Sequence, residues 1–217
     1  MIVALDGPAG AGKSTVAKLL AEKLGFFYLD TGALFRAVTL AAIEAGANLE
    51  NEDELESLAR SIKVEFDGRR TLLNGKDVSD SIRRESVTER VKFVARFPKV
   101  RAVVAEIEKR LASGKNVVVE GRDATTVVFP YADVKFYLDA SSPERARRRY
   151  EEMKRRGEKV SFEEVMRAIE ERDRSDFGRE CAPLRASPDA VRVDTTSLSI
   201  EEVVERLYKE CRRVLRI

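Results

Sequence analysis

Residues 7–15 have the types and spacing that bind a phosphate chain. They read Gly7, Pro8, Ala9, Gly10, Ala11, Gly12, Lys13, Ser14 and Thr15, which matches the phosphate-loop pattern G-x-x-x-x-G-K-[ST]. Glycines let the backbone curl so that successive N–H groups form a concave site for anions. Lys13 supplies a positive charge for the β- and γ-phosphates, and the Ser14 hydroxyl is a ligand for Mg²⁺. We expect this loop to bind a nucleoside triphosphate with Mg²⁺.

The elements that position this loop are visible on both sides of it. The apolar run Ile2–Leu5 predicts a buried strand, and Val16, Leu20 and Leu24 continue at helical spacing after the loop. A helix that begins near Lys13 directs its positive end toward bound phosphate. The loop therefore has the strand and the helix that its function requires.

Apolar runs and amphipathic segments alternate along most of the chain. The predicted strands are Ile2–Leu5, Phe26–Leu29, Asn116–Glu120, Val134–Leu138 and Val191–Val193. This alternation predicts an α/β fold, a five-stranded parallel sheet of the P-loop NTPase type flanked by helices. Ligands of such sheets bind at the carboxyl ends of the strands.

Helix boundaries carry recognisable capping residues. Ser142, followed by Pro143, is predicted to be an N-cap with proline at the first helical position. Ser161 and Ser199 are each followed three residues later by Glu, which predicts two capping boxes.

One segment interrupts the alternation. Between Ile62 and Val78, the dipeptides Asp67-Gly68 and Asn74-Gly75 separate short apolar runs, which predicts a small antiparallel meander. Helical patterns follow over residues 79–85, 87–97 and 100–112.

Composition excludes several classes of function. The net charge is +2, from 40 Lys and Arg against 38 Asp and Glu, which gives no support for nucleic-acid or membrane-surface binding. No apolar run approaches the ~18 residues that span a bilayer, and the two cysteines form no disulfide or zinc framework. We expect a cytoplasmic protein. The absence of histidine excludes histidine general-base chemistry and most transition-metal sites.

Arginines follow the predicted strands at the edge where the phosphate loop lies. Arg36 comes one turn after the second strand, and Arg122 directly follows the third. A third group lies in residues 172–179. Guanidinium groups bind phosphate oxygens in pairs, so this placement indicates an oxyanion substrate.

These motifs together resemble the bacterial cytidylate kinases, which belong to the nucleoside monophosphate kinases. The resemblance runs essentially from end to end, through the phosphate loop and residues 29–33, 77–79, 82–83, 97–101, 121–123, 126–130, 138–142, 171–173, 182–184 and 194–196. It implies transfer of the γ-phosphoryl group of ATP to CMP or dCMP. It also implies one kinase domain over 1–217, with a core at about 1–61 and 98–217, an NMP-binding insert at about 62–97 and a lid at about 144–160.

The resemblance also implies roles for individual residues. The acceptor phosphate would be held by Thr31, Arg36 and Arg122. The cytosine would lie beside Arg101 and Asp123. The phosphate and ribose would be contacted by Arg172, Asp176 and Arg179. Monomeric action is typical of the family and is expected here.

Four positions depart from the family pattern. Phe35 stands where the family often has Tyr, Glu120 replaces an Asp, Thr125 replaces a Gly, and Lys92 replaces a Ser of some members. These departures affect the expected preference for CMP over UMP and leave the reaction class unchanged.

The expected chemistry needs no histidine, because the acceptor phosphate is itself ionised at neutral pH. Its second pKa is about 6. Catalysis then depends on alignment and on neutralising charge, for which Lys13, Arg122 and Mg²⁺ on Ser14 are candidates. The basic segment 144–156 is predicted to be a lid whose mobile arginines, Arg148 and Arg149 among them, close over ATP.

Three other functions are compatible with parts of this sequence. A P-loop kinase for a hydroxyl acceptor would use Asp30 as its base or substrate ligand, and would not need Arg36, Arg101 and Arg122. A nucleotide-dependent switch would need a residue that positions water, and the chain has no glutamine for that role. Nucleic-acid binding has only the basic lid segment in its favour, and acidic residues are interleaved there.

Overall fold

The computed structural model describes residues 1–67 and 69–217. In chain order its strands and α-helices are β1 (Ile2–Asp6), α1 (Lys13–Leu24), β2 (Phe27–Asp30), α2 (Thr31–Glu44), α3 (Glu52–Ser61), β3 (Val64–Phe66), β4 (Thr71–Leu73), β5 (Lys76–Asp77), α4 (Glu85–Ala95), α5 (Pro98–Ala112), β6 (Val117–Glu120), β7 (Val134–Asp139), α6 (Ser142–Arg155), α7 (Phe162–Gly178), β8 (Val191–Asp194) and α8 (Ile200–Leu215).

The main sheet is parallel and has the strand order β2-β6-β1-β7-β8. β1 lies between β6 and β7, with Leu5 opposite Glu120 on one side and Phe136 on the other. β6 is buried along its whole length, and β1 and β7 are buried except at Ile2 and Asp139. Their largely apolar sequences are those expected for a parallel sheet covered on both faces. The predicted α/β fold is confirmed.

The chain forms two compact units. The first contains Met1–Phe26 and Val117–Ile217, and the second contains Phe27–Asn116. The division into core, insert and lid that the resemblance implies remains a prediction.

The antiparallel meander lies in the second unit, as the turn dipeptides predict. β3 pairs with β4, and β4 pairs with β5. Asn74 and Gly75 both have positive φ (50° and 82°), the combination of a type I′ hairpin turn. The other predicted turn residue, Gly68, lies outside the residues that the structure describes.

Several predicted boundaries are wrong by short distances, and three of them have an identifiable cause. Phe26 is outside β2, because its N–H bonds the Ala21 carbonyl and closes the end of α1. Ser141, and not Ser142, is the N-cap of α6, since its extended backbone leaves its hydroxyl facing the N–H of Glu144. Residues 79–85 contain only a 3₁₀ turn at Ser81–Arg83, because Arg84 adopts an extended conformation before α4. Both predicted capping boxes, at Ser161 and Ser199, are confirmed.

Candidate active site

The phosphate loop connects β1 to α1 and has the curled backbone that its glycines allow. Gly10 and Gly12 have φ of 80° and 84°, in the left-handed region that disfavours side chains. Gly7 is required for a different reason, because a Cβ there would lie 1.9 Å from the carbonyl oxygen of Leu138 on β7. The loop therefore lies directly against the end of a neighbouring strand, with no room for larger residues.

Lys13 is buried at the first position of α1. Its Nζ donates a hydrogen bond of 2.8 Å to the carbonyl oxygen of Pro8, which folds the side chain back over the loop. Burial and the positive charge of Arg122 lower the pKa of Lys13 to about 7, although Glu120 and Asp176 oppose this shift. The site thus holds a partly desolvated cation that a bound anion would stabilise.

Asp6, the last residue of β1, positions the segment that follows β6. Its buried carboxylate accepts hydrogen bonds from the N–H groups of Ala124 and Thr125, at 3.0 and 2.7 Å, and from the Thr125 hydroxyl at 2.6 Å. Burial raises the pKa of Asp6 despite these bonds. Asp123, a predicted base-binding residue, precedes this anchored turn and is buried. Asp6 was not among the predicted site residues, although its position, a carboxylate between an apolar strand and a phosphate loop, is visible in the sequence.

Asp176 on α7 brings three of the predicted substrate-binding arginines together. Its carboxylate is 2.9 Å from Nε of Arg122 and 3.7 Å from nitrogens of both Arg172 and Arg179. Burial raises the pKa of Asp176, but the three guanidinium groups outweigh it and hold the pKa below its usual value. One carboxylate shared by three arginines leaves an excess of positive charge, which suits an anionic ligand.

The arginines of this cluster also influence one another's pKa values. Burial and the charge of Arg122 lower the pKa of Arg172, and the charge of Arg149 contributes to that shift. Arg149 itself pairs with Glu152 at 2.9 Å. The structure thus brings Arg149 of α6 into electrostatic reach of the arginine cluster.

Arg148 lies at the phosphate loop. A Cβ on Gly12 would be 3.9 Å from its Nη1. Its guanidinium donates to the carbonyl and hydroxyl oxygens of Thr195, at 2.5 and 3.0 Å, and to Glu144 at 2.8 Å. Glu144, one turn before Arg148, therefore binds the guanidinium groups of Arg148 and Arg147 together.

Arg145 corrects a second expectation about α6. The basic segment 144–156 is predicted to supply mobile lid arginines, but the Arg145 side chain is only 5% exposed and is ion-paired with Asp173. The sequence could not distinguish Arg145 from its exposed neighbours, because all of them are arginines of one basic helix. The remaining arginines of α6 are more exposed.

The second unit holds the other predicted acceptor residues. Thr31 is buried at the start of α2. Asp30 is the N-cap of this helix, and the Asp30 side chain accepts a hydrogen bond from the N–H of Ala33. Arg36, one turn further on, donates to the Thr88 hydroxyl at 2.6 Å. These bonds fix Arg36 against α4.

Arg101 on α5 is buried in the second unit. Its Nη1 donates to the Ala95 carbonyl at 2.9 Å, and its guanidinium lies 5.1 Å from the centre of the Phe35 ring. A guanidinium over an aromatic ring is stabilised by a cation–π interaction. Phe35, where a Tyr was expected, thus supports Arg101 through its ring face.

The described residues contain no cluster of three or more His, Cys, Asp or Glu side chains placed to hold a metal ion. No helix among them is both long and apolar enough to cross a bilayer.

The parallel sheet, the phosphate loop at the end of β1 and the buried lysine behind it define a P-loop kinase. A crystal structure of shikimate kinase from Bacteroides thetaiotaomicron has the same fold, with a TM-score of 0.50, 14% identity, and coverage of 100% of this chain and 99% of that one. The sequence model described as Cytidylate kinase matches residues 3–213. The chain belongs to the cytidylate kinase family, and its reaction class is ATP-dependent phosphorylation of CMP.

Curated relatives agree with this assignment. A cytidylate kinase of Caldanaerobacter subterraneus subsp. tengcongensis is 49% identical over 97% of this chain and 94% of its own length. One from Geobacillus kaustophilus is 50% identical over 95% of this chain and 94% of its own.

Proposed function

We propose that this chain transfers the γ-phosphoryl group of Mg²⁺-bound ATP to CMP and dCMP, using the residues described above. One observation carries the assignment of the site: the charge of Arg122 lowers the pKa of Lys13. The lysine that serves the donor phosphates therefore lies within electrostatic reach of the arginine cluster that suits an acceptor phosphate.

The phosphate loop, residues 7–15, is proposed to hold the triphosphate of ATP, with its N–H groups and Lys13 as donors. Mg²⁺ would be held by the Ser14 hydroxyl, which is exposed on the first turn of α1. The carboxylate of Asp6, at the end of β1, already accepts three hydrogen bonds. A hydroxyl supplemented by phosphate oxygens and water suits Mg²⁺, which usually keeps several waters and seldom uses all-protein cages. When bound, the ion neutralises charge on the phosphates.

On the acceptor side, Arg122 is held in place by Asp176, so its remaining donors can receive a phosphate without reorganisation of the side chain. Arg172 and Arg179 are proposed to share the phosphate and ribose with Asp176. Thr31 and Arg36 would bind the same phosphate, and no residue has to remove a proton from it, because it is ionised at neutral pH.

Further donors complete the proposed site. Arg101 and Asp123 are proposed to select cytosine, and Arg148 and Arg149 to neutralise charge on the transferring group. Arg148 would exchange its bonds to Thr195 for bonds to phosphate. We also propose that the protein acts as a cytoplasmic monomer that binds no nucleic acid, in keeping with its net charge of +2.

Triphosphate binding should take up a proton, because a polyanion beside Lys13 restores the pKa that burial lowers to about 7. At about pH 8.5, where free Lys13 is mostly neutral, we expect uptake approaching one proton per ATP, and at about pH 6 almost none from this group. Calorimetry with Mg²⁺-ATP in buffers of different ionisation enthalpy measures this number. The Lys13→Met variant should show no uptake at the higher pH, and a wild-type protein without uptake there would contradict a lowered pKa.

The proposed function is tested by supplying Mg²⁺-ATP with CMP, dCMP, UMP, AMP or GMP and measuring ADP and the new diphosphate chromatographically. We expect rapid turnover with CMP and dCMP only, and its loss when EDTA removes Mg²⁺. Comparable use of UMP would overturn the specificity assigned to Arg101 and Asp123. ATP hydrolysis that no monophosphate stimulates would overturn the proposed reaction.

Substitutions of two arginines of α5 test the proposed role of Arg101 in binding CMP. Arg101→Met should raise KM for CMP by about tenfold or more while KM for ATP stays within about twofold. Arg110→Met removes the same group from an exposed position on the same helix, where it donates a long bond of 3.3 Å to the Val64 carbonyl. That control should leave both constants unchanged.

A further inference from the structure

Arg145 uses all five of its N–H donors inside the first unit. Nε donates to the Ala140 carbonyl at 2.9 Å, and Nη2 donates to the Ser142 hydroxyl at 2.8 Å. Nη1 donates to the Ala9 carbonyl at 2.9 Å, and the two Nη atoms bind the two carboxylate oxygens of Asp173 at 3.0 and 2.5 Å. A guanidinium has five donors in a rigid fork, so this side chain has a single fitting position.

The bond to Ala9 acts on the phosphate loop. The N–H and C=O of a trans peptide point in opposite directions, so a carbonyl of Ala9 turned toward Arg145 leaves the N–H of Gly10 directed away from it. Gly10 also packs on Arg145, because a Cβ there would be 2.9 Å from the Cβ of Arg145. Arg145 thus fixes the orientation of one of the loop's N–H donors.

The bond to Asp173 extends the same contact to α7. Asp173 is only 15% exposed and lies three residues before Asp176, the carboxylate shared by the substrate-binding arginines. Residues three apart lie on neighbouring positions of one helix face. One guanidinium therefore joins the phosphate loop to the helix that carries the arginine cluster.

We propose that Arg145 is a positioning residue for ATP, which sets the orientation of the Gly10 N–H and holds the loop in register with α7 through Asp173. The inference rests on the proposed function, since it takes ATP as the ligand of the loop. It assigns Arg145 no contact with substrate and removes it from the lid arginines.

The test is the affinity for a non-hydrolysable ATP analogue, measured by calorimetry well below the thermal midpoint of each variant. Arg145→Lys keeps the charge and loses the fork, and we expect its Kd to rise about tenfold or more. Asp173 lies on α7, whereas Arg145 lies on α6 and the phosphate loop precedes α1. The Asp173→Asn variant should raise Kd by about threefold or more. In the double variant the two effects should not add, because both remove one connection.

Arg167→Met is the matched control, since Arg167 is an exposed arginine of α7 whose Nε donates only to the Glu163 carbonyl. Its Kd should equal that of the wild type. A folded Arg145→Lys or Asp173→Asn protein with a lower thermal midpoint but a Kd within about twofold of wild type would overturn the proposal, because a purely structural role predicts that result. If Asp173→Asn folds and Arg145→Lys does not, the Kd of Asp173→Asn alone tests the proposal.

The two proposals fail in different ways. A wild-type protein that binds the analogue but phosphorylates no monophosphate would overturn the proposed reaction, while the Kd values of the variants would still decide the role of Arg145. A wild-type protein that does not bind the analogue would overturn both.

Discussion

Replacement of Lys13 by methionine should lower kcat for CMP phosphorylation by about a thousandfold or more. Lys13 is the buried cation of the phosphate loop, and methionine has a similar length without the charge. Folding should not suffer, because burial lowers the pKa of Lys13 to about 7 and thus opposes its charged form. We expect the thermal midpoint of Lys13→Met to equal or exceed that of the wild type. Steady-state kinetics with saturating CMP, together with thermal unfolding, measure both quantities.

Lys18→Met provides the control on the same helix. Lys18 lies one turn and one residue further along α1 and is exposed, so its loss should change neither kcat nor the thermal midpoint measurably. A Lys13→Met enzyme that keeps more than about a tenth of the wild-type kcat would contradict the role of this lysine in charge neutralisation. Loss of folding in Lys13→Met would contradict the conclusion that the buried charge is a cost to stability.

The sequence could predict the strand, loop and helix of the phosphate loop because the determinants of these elements are local. The strand Ile2–Asp6, the loop and α1 are consecutive in the chain. The glycines of the loop indicate the backbone conformation that it needs. The antiparallel meander could also be predicted from the sequence, because the Asn74-Gly75 turn specifies a hairpin without the help of distant residues. For these elements, local chemistry and the final structure agree.

The sequence could not predict contacts whose partners are far apart in the chain. Asp6 binds residues 124 and 125, and Arg145 binds both Ala9 and Asp173. Arg145 has the same residue type as its exposed neighbours on α6, so only the packed structure separates a buried fork from surface charges.

The effect of Asp176 on stability provides the second large expected result. Asp176→Asn keeps the shape of the side chain but leaves Arg122, Arg172 and Arg179 without its charge in a buried site. Breaking a buried charge pair in this way costs about 3–5 kcal/mol of unfolding free energy. We expect a loss in that range at neutral pH, measured by urea denaturation, together with a raised KM for CMP. Asp80→Asn, at an exposed carboxylate, should change the unfolding free energy by less than about 0.5 kcal/mol.

The pH dependence of that difference follows from the direction of the shift. The three arginines hold the pKa of Asp176 in the folded protein below its unfolded value of 3.8. A carboxyl group with a lowered folded pKa stabilises the protein fully above the unfolded pKa, and this contribution is lost as the pH falls through the folded pKa. The difference in unfolding free energy between wild type and Asp176→Asn should therefore be constant from about pH 5 to 8 and shrink below about pH 4. A difference that stays constant down to about pH 3, or that grows on acidification, would show that the arginines do not stabilise the ionised carboxylate.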